Sequence, residues 1–181
     1  MKRVVGFSAA IAVVAGLVGT ARADVVDVSP SGFLVRDTTI VRAAPAHVYA
    51  ALQDIGGWWD SVHTYSGDSR NLTLKAVPGG CFCEKLAGGG GVQHMTVVFA
   101  APGKALRLVG GLGPLQQSGV VGSMTWSLSP AESGTRVELS YSVGGYFRSG
   151  FQEIAPAVDE VLGSQLSRLK SYAETGKPTA K

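Results

Sequence analysis

The residues that could do chemistry in this chain concentrate in the stretch GGCFCEKLAGGGGVQHM, at positions 79–95. It holds two cysteines, Cys81 and Cys83, with Glu84 directly behind them and His94 ten positions further on. Thiolates and imidazoles bind zinc or copper, and a carboxylate or an imidazole can move protons in an active site. The same residues also fit an ordinary hairpin that happens to carry polar side chains.

Strand parity places one carboxylate on the inner face of this hairpin. The glycine-rich run predicts a turn between two antiparallel strands, with Phe82 near Met95 and Glu84 near Gln93 on the apolar side. A carboxylate in an apolar interior must be protonated or paired, so Glu84 is a candidate for ligand orientation or acid–base catalysis. The alternative is a structural hydrogen bond to Gln93, Tyr141 or a backbone amide.

The same parity places Cys81, Cys83 and His94 on the outer face, with Cys83 near His94. These three are candidate metal ligands, although zinc cysteines usually follow a C-x₂-C pattern on a turn and no fourth ligand is evident. A disulfide is the second possibility, but Cα atoms two apart in an extended strand lie ~6.5 Å from each other, near the upper limit for such a bond. Packed structural thiols are the third possibility, and the sequence leaves all three open.

A second candidate base lies outside the hairpin. His63 follows Trp58 and Trp59 within a glycine-interrupted stretch, where it could sit at the entrance of a pocket or simply be an exposed loop histidine. The glycine run at 88–91 lacks both the lysine and the strand–turn–helix context of a phosphate-binding loop. Nucleotide binding is therefore not expected.

The periodicity of the apolar residues predicts the elements that position these groups. Residues 33–42 are predicted to form the first strand, and Pro45 begins a short helix that a second one follows at Trp58. Alternating apolar and polar residues then predict an antiparallel sheet with one wet face. Three- and four-residue steps from about 151 to 174 predict a long amphipathic helix. The result is an α+β fold with a curved sheet of about six to seven strands wrapped around that helix.

The N-terminal residues have the pattern of a secretory signal peptide. A basic start, an apolar run and the sequence ARA predict cleavage after Ala23. The expected organisation is a signal peptide at 1–23, a linker at 24–32, a domain at 33–175 and a tail at 176–181. The protein is then exported, to the periplasm or outside the cell, and has no stable membrane insertion after cleavage.

The charge of the chain is balanced once the leader is set aside. The leader holds three of the 16 Lys and Arg residues and none of the 13 Asp and Glu residues. No basic stripe remains, so nucleic acid is not an expected partner.

Several motifs together resemble the START-like, or SRPBCC, superfamily. The closest branch is the one homologous to polyketide cyclases and to activators of chaperone ATPases. The resemblance covers about residues 33–175 and implies a helix-grip fold with an apolar cavity between the sheet and the last helix. It depends on the motifs Pro45-x-x-Val48-Tyr49-x-x-Leu52, Trp58-Trp59, Pro78-Gly79-Gly80-x-Phe82 and Pro102-Gly103-x-x-Leu106-Arg107-Leu108.

This resemblance implies that the protein binds a small apolar or amphipathic ligand, with no cofactor expected and no protein partner specified. A cyclase- or hydrolase-type enzyme with Glu84 and His63 as acid and base is one alternative. A protein-interaction module with a closed core and an exposed apolar patch is the other. The residues expected to line the ligand cavity are Trp58, Trp59, Phe82, Glu84, Met95, Trp126, Tyr141, Val158 and Leu162.

Overall fold

Eight strands and three α-helices, with short 3₁₀ turns between them, make up residues 22–179, the part of the chain that this computed structural model describes. The helices are α1 (Pro45–Gln53), α2 (Ile55–Trp58) and α3 (Ile154–Thr175). The strands are β1 (Arg22–Ser29), β2 (Gly32–Val41), β3 (Leu72–Leu74), β4 (Cys81–Lys85), β5 (Gly91–Ala101), β6 (Ala105–Gly110), β7 (Gly119–Ala131) and β8 (Gly134–Tyr146).

The strands form one antiparallel sheet in the order β1-β2-β8-β7-β6-β5-β4-β3. The sheet curves around α3, which confirms the predicted helix-grip architecture. It has eight strands instead of six or seven because residues 24–32, predicted as a linker, belong to β1 and its turn into β2. The linker prediction was wrong because Val26 and Val28 of this edge strand stay exposed and its alternation is interrupted by a bulge after Val25.

The core lies between the concave face of the sheet and α3. Alternate residues of β7 and β8, including Trp126 and Leu139, point inward and are almost fully buried. Leu166 and Leu169 of α3 are buried in the same core because the helix repeat returns one face to the sheet every three or four residues. The helix ends at Gly176, whose left-handed backbone a glycine adopts without strain and whose N–H donates to the carbonyl of Tyr172.

Tyr141 is a fully buried aromatic residue of this core. Its ring lies directly over Gly122 on the neighbouring strand, and its hydroxyl donates to the carbonyl of Gly110 at 3.1 Å. Burial raises the pKa of this phenol, so it stays a neutral hydrogen-bond donor. Any side chain at position 122 would occupy the volume that the tyrosine ring needs.

Replacement of Gly122 tests this packing. Gly122→Ala is expected to lower the free energy of unfolding by about 1–3 kcal/mol, because its Cβ would lie 2.2 Å from the Tyr141 ring. Gly119→Ala on the same strand is the control, since the nearest atom to its Cβ is 3.5 Å away. Urea denaturation of both variants measures the difference, and an equal loss in the two would contradict the packing argument.

Candidate functional site

A cavity of about 490 Å³ opens between the first half of α3 and the strands β4 and β5. Residues 59–65, which follow α2, and residues 112–117, between β6 and β7, form its rim. Tyr65 joins the two parts of the rim, because its hydroxyl donates to the carbonyl of Gly113 at 3.0 Å. The volume lies in the range of small-molecule sites in proteins.

The helix side of the cavity is apolar. Ile154, Val158 and Val161 belong to the apolar stripe of α3 yet remain half-buried, since they face the cavity instead of packed side chains. Leu162 lies one turn further along, is almost fully buried and also lines the cavity. The helix therefore switches from lining a cavity to filling the core at about this residue.

The strand side of the cavity is an aromatic wall formed by Trp59, Phe82, His94 and Tyr65. The ring centroids lie 5.6 Å apart between Trp59 and Phe82, 4.8 Å between Phe82 and His94, and 5.8 Å between His94 and Tyr65. The indole N–H of Trp59 donates to the carbonyl of His63, which fixes the orientation of its ring. Flat apolar molecules pack well on such a surface.

A β-bulge brings His94 into this wall. Phe82 pairs with Met95, as predicted, but Cys83 pairs with Gln93, so His94 has no opposite residue on β4. The extra residue lets His94 and Met95, which are adjacent in sequence, both point inward. The predicted position of His94 beside Cys83 on the outer face was therefore wrong.

Glu84 lies behind His94, and its carboxylate has three hydrogen-bonding partners. The carboxylate is 2% exposed, and Val92, not Gln93, is its partner across the strands. Its Oε2 accepts from the N–H of Tyr65 at 3.1 Å and lies 3.0 Å from Nε2 of His94. Its Oε1 accepts from the N–H of Ser66 at 2.5 Å. Of the partners considered for Glu84, a backbone amide is the type that the structure shows, and there are two of them.

The charge state of the pair follows from these contacts. Burial raises the pKa of Glu84, but hydrogen bonds from Ser66, Tyr65 and His94 outweigh it and hold that pKa below its usual value. Burial lowers the pKa of His94, and the neighbouring Glu84 offsets this only in part. At neutral pH the carboxylate is ionised and the imidazole neutral. An ionised carboxylate only accepts, so the proton is on Nε2 and Nδ1 keeps a free lone pair.

The outer face of β4 carries a disulfide. Cys81 and Cys83 are bonded to each other, with Cα atoms 5.4 Å apart, closer than the extended-strand value and within the usual range for such a bond. The proposed metal cluster of these cysteines with His94 does not form, because His94 faces the opposite side of the sheet. Within residues 22–179 no group of three or more His, Cys, Asp or Glu side chains is arranged to hold a metal ion.

The structure divides the residues predicted to line the cavity into three groups. Trp59, Phe82, Val158 and Leu162 do line it, as does the exposed His63 at its rim. Glu84 lies one residue behind the wall and contacts His94, so it forms no pair with His63. The residues that belong to the packed core instead are Trp58, Met95, Trp126 and Tyr141.

Three contributions were missed from the sequence. Tyr65 and the turn at 112–117 lie in loops whose course no periodicity predicts, and His94 was assigned to the wrong face. The apolar Leu112 and Pro114 between two strands line the cavity, but single apolar loop residues are common and do not by themselves predict a site.

Comparison with known proteins identifies the family. A family model described as polyketide cyclase / dehydrase and lipid transport matches residues 33–174, and the chain belongs to this family. The resemblance to the SRPBCC superfamily is thereby confirmed. Among curated proteins the chain has no match.

Solved structures share the fold at low sequence identity. The Aha1 dimer from Colwellia psychrerythraea is 19% identical with a TM-score of 0.57, over 80% of this chain and 98% of that one. CalU16 from Micromonospora echinospora is 15% identical with a TM-score of 0.56, over 88% and 85%. A conserved protein of unknown function from Enterococcus faecalis is 16% identical with a TM-score of 0.57, over 84% and 77%.

The Glu84–His94 pair predicts acid sensitivity of the fold. Both groups have lower pKa values in the folded chain than the ordinary 4.5 and 6.5, so the unfolded chain binds more protons as the pH falls through these values. Stability is expected to decrease from about pH 6.5 downward, first through His94 and then, below about pH 4.5, through Glu84.

The variant Glu84→Gln isolates the carboxylate's share. It is expected to be less stable at pH 7 by about 1–3 kcal/mol. It is also expected to lose less stability than the parent between about pH 5 and about pH 3, the range in which carboxyl groups ordinarily titrate. The measurement is urea denaturation across that range. Glu132→Gln, at an exposed position between β7 and β8, is the matched control and should follow the parent at every pH.

Proposed function

We propose that this protein binds a small, flat, largely apolar molecule in the cavity between α3 and the aromatic wall. The observation that carries the proposal is the open cavity of about 490 Å³, in which apolar helix residues such as Val158 face an aromatic wall of mutually tilted rings such as Phe82. Apolar side chains left half-buried on a core-facing helix are costly unless something covers them, and a ligand would do so.

The polar end of the cavity favours a ligand with a hydrogen-bond donor. The free lone pair on Nδ1 of His94 can accept a hydrogen bond from a donor such as a hydroxyl group. A ligand with a carboxylate would instead meet a second acceptor and the negative charge of Glu84 directly behind the imidazole. The pocket is therefore expected to select neutral hydroxylated molecules over apolar anions.

The alternative of a protein-interaction module has less support. That reading expects a closed core with an exposed apolar patch, whereas this chain has an open cavity between helix and sheet. The exposed Val62 and Tyr65 belong to the rim of this cavity, where a ligand would partly cover them. Similarity to the Aha1 dimer reflects the shared fold alone.

We also propose that the protein acts after export. Support comes from the signal-peptide pattern, which lies almost entirely outside the described residues, and from the Cys81–Cys83 disulfide, a bond typical of oxidising compartments. No helix within residues 22–179 is long and apolar enough to cross a membrane. Cell fractionation with N-terminal sequencing is expected to find a chain that begins at Asp24 outside the cytoplasm, and a cytoplasmic chain that retains Met1 would contradict export.

A set of three naphthalene ligands tests the binding proposal. Affinity, measured by ligand-observed NMR at pH 7.5, is expected to be highest for 2-naphthol, lower for naphthalene and lowest for 2-naphthoate. The expected gap between naphthol and naphthoate is at least about fivefold, corresponding to one net hydrogen bond. The opposite order would contradict the proposed polarity, and binding of none of the three would contradict the pocket.

A cavity-filling variant locates the binding. Val158→Phe adds an aromatic ring inside the cavity and is expected to weaken 2-naphthol binding about tenfold or more through overlap with the ligand. Val121→Phe makes the same change on an exposed residue of β7 and serves as the control. Equal affinity in the two variants would show that the ligand binds elsewhere.

A further inference from the structure

The buried pair of Glu84 and His94 has a feature that ligand binding alone does not require. The imidazole forms part of the cavity wall, while its Nε2 is held 3.0 Å from a carboxylate on the side away from the cavity. That carboxylate is itself fixed by the backbone amides of Tyr65 and Ser66. Of the two ring nitrogens, Nδ1 is the one that Glu84 does not engage.

We propose that His94, oriented by Glu84, is a general base that removes an activated C–H proton from a small conjugated substrate in this pocket. The proposal rests on the proposed binding function, because it needs the same pocket to hold the substrate. It assigns proton-transfer chemistry, and specifically isomerisation, to a site that is otherwise only a binding surface.

A general base needs three properties, and the geometry supplies each of them. It must reach the substrate, and the His94 ring lies in the wall between Phe82 and Tyr65. It must keep a free lone pair, which the Nε2–H tautomer provides on Nδ1. It must be stabilised once protonated, and the Glu84 carboxylate at Nε2 stabilises an imidazolium.

The direction of the pKa shifts agrees with this geometry. Burial holds the pKa of His94 below its ordinary value, so the free base predominates at neutral pH. The other titratable groups that line the cavity are His63 and Tyr65, both on the loop that follows α2. The helix α3 and the turn at 112–117 contribute only uncharged lining residues.

A purely structural pair would not need this arrangement. An apolar residue at position 94 and a regular β4–β5 ladder would avoid the burial of a carboxylate and an imidazole in the wall of an apolar cavity. Instead, the register shifts between Phe82 and Cys83, and the resulting bulge turns His94 inward. Bulges often re-aim a side chain in this way beside active sites.

The step is balanced without a further reactant. Nδ1 of His94 takes the proton, the C–H electron pair moves into the conjugated system of the substrate, and the imidazolium is stabilised by the charge of Glu84. The same proton then returns from Nδ1 to another carbon of that system. The net change is the movement of one hydrogen and one double bond, and His94 is restored as the neutral base.

The probe for this base is 5-nitrobenzisoxazole, a small flat molecule that reports on C–H proton removal. When a base removes its ring C–H proton, the electron pair breaks the N–O bond and releases a coloured phenolate. The enzyme is expected to accelerate this reaction with saturation, by about 10²-fold over buffer at pH 7.5. His94→Gln should abolish the acceleration, and Glu84→Gln should reduce it by about tenfold while leaving some activity.

Two further measurements make the result decisive. His47→Gln replaces an exposed histidine on α1, far from the cavity lining, and should keep full activity. The pH profile of the rate should coincide with the ¹⁵N NMR titration of His94 in the unaltered protein, with Nδ1 unprotonated at neutral pH. This comparison does not depend on whether the Glu84 and His94 variants fold.

The outcomes separate the two proposals. Saturable binding of the probe with turnover that follows His94 supports the base. Saturable binding without His94-dependent turnover, or an Nδ1–H tautomer at neutral pH, overturns the base and leaves the binding function intact. Absence of probe binding also overturns the base, whereas the binding function is decided separately by the naphthalene series.

Discussion

The carboxylate of Glu84 is the group on which the geometry of the site depends. It joins three separate pieces of the chain: its own strand β4, the bulged residue His94 on β5, and the loop amides of Tyr65 and Ser66. Without these donors an ionised group at this depth would be too costly to bury, and without the carboxylate the loop and the imidazole would lack their shared partner. The rim of the cavity and its polar end are therefore set by one interaction.

The cavity itself has a different origin, which lies in how α3 crosses the sheet. The helix keeps one apolar stripe along its length, but in its first half part of that stripe, at Ile154, Val158 and Val161, faces the cavity and stays half-buried. Near Ile154 and Val158 the loop rim stands away from the helix, held there by the hydrogen bond from Tyr65 to Gly113. The interior is therefore closed around Leu166 and Leu169, in the second half of α3, and open beside the first half of the helix, where the cavity lies. The packed core and the cavity therefore both lie in the layer between the sheet and α3.

Much of the fold could be predicted from periodicity and motifs, and the failures share a physical cause. Alternation along β7 and β8 and the helical repeat of α3 are strong because each element has one buried face over many residues. β1 was missed because an edge strand buries little and gives no such pattern. His94 was placed on the wrong face because parity assumes a regular ladder, and a single extra residue reverses the assignments on one side of it, here those of His94 and Gln93. The contacts of Tyr65 and Ser66 with Glu84 could not be predicted, since they are made by backbone amides in a loop and do not depend on residue type.

Membership of the family leaves the chemistry of the site open. The fold supplies a curved sheet, a covering helix and a space between them, and similarity at 15% to 19% identity shows this shared fold alone. In this chain a local departure from the regular sheet turns His94 inward, beside a fixed carboxylate. Function in such a scaffold is decided by which polar groups reach the cavity wall. Here the one-residue bulge at His94 determines that the cavity wall carries an imidazole.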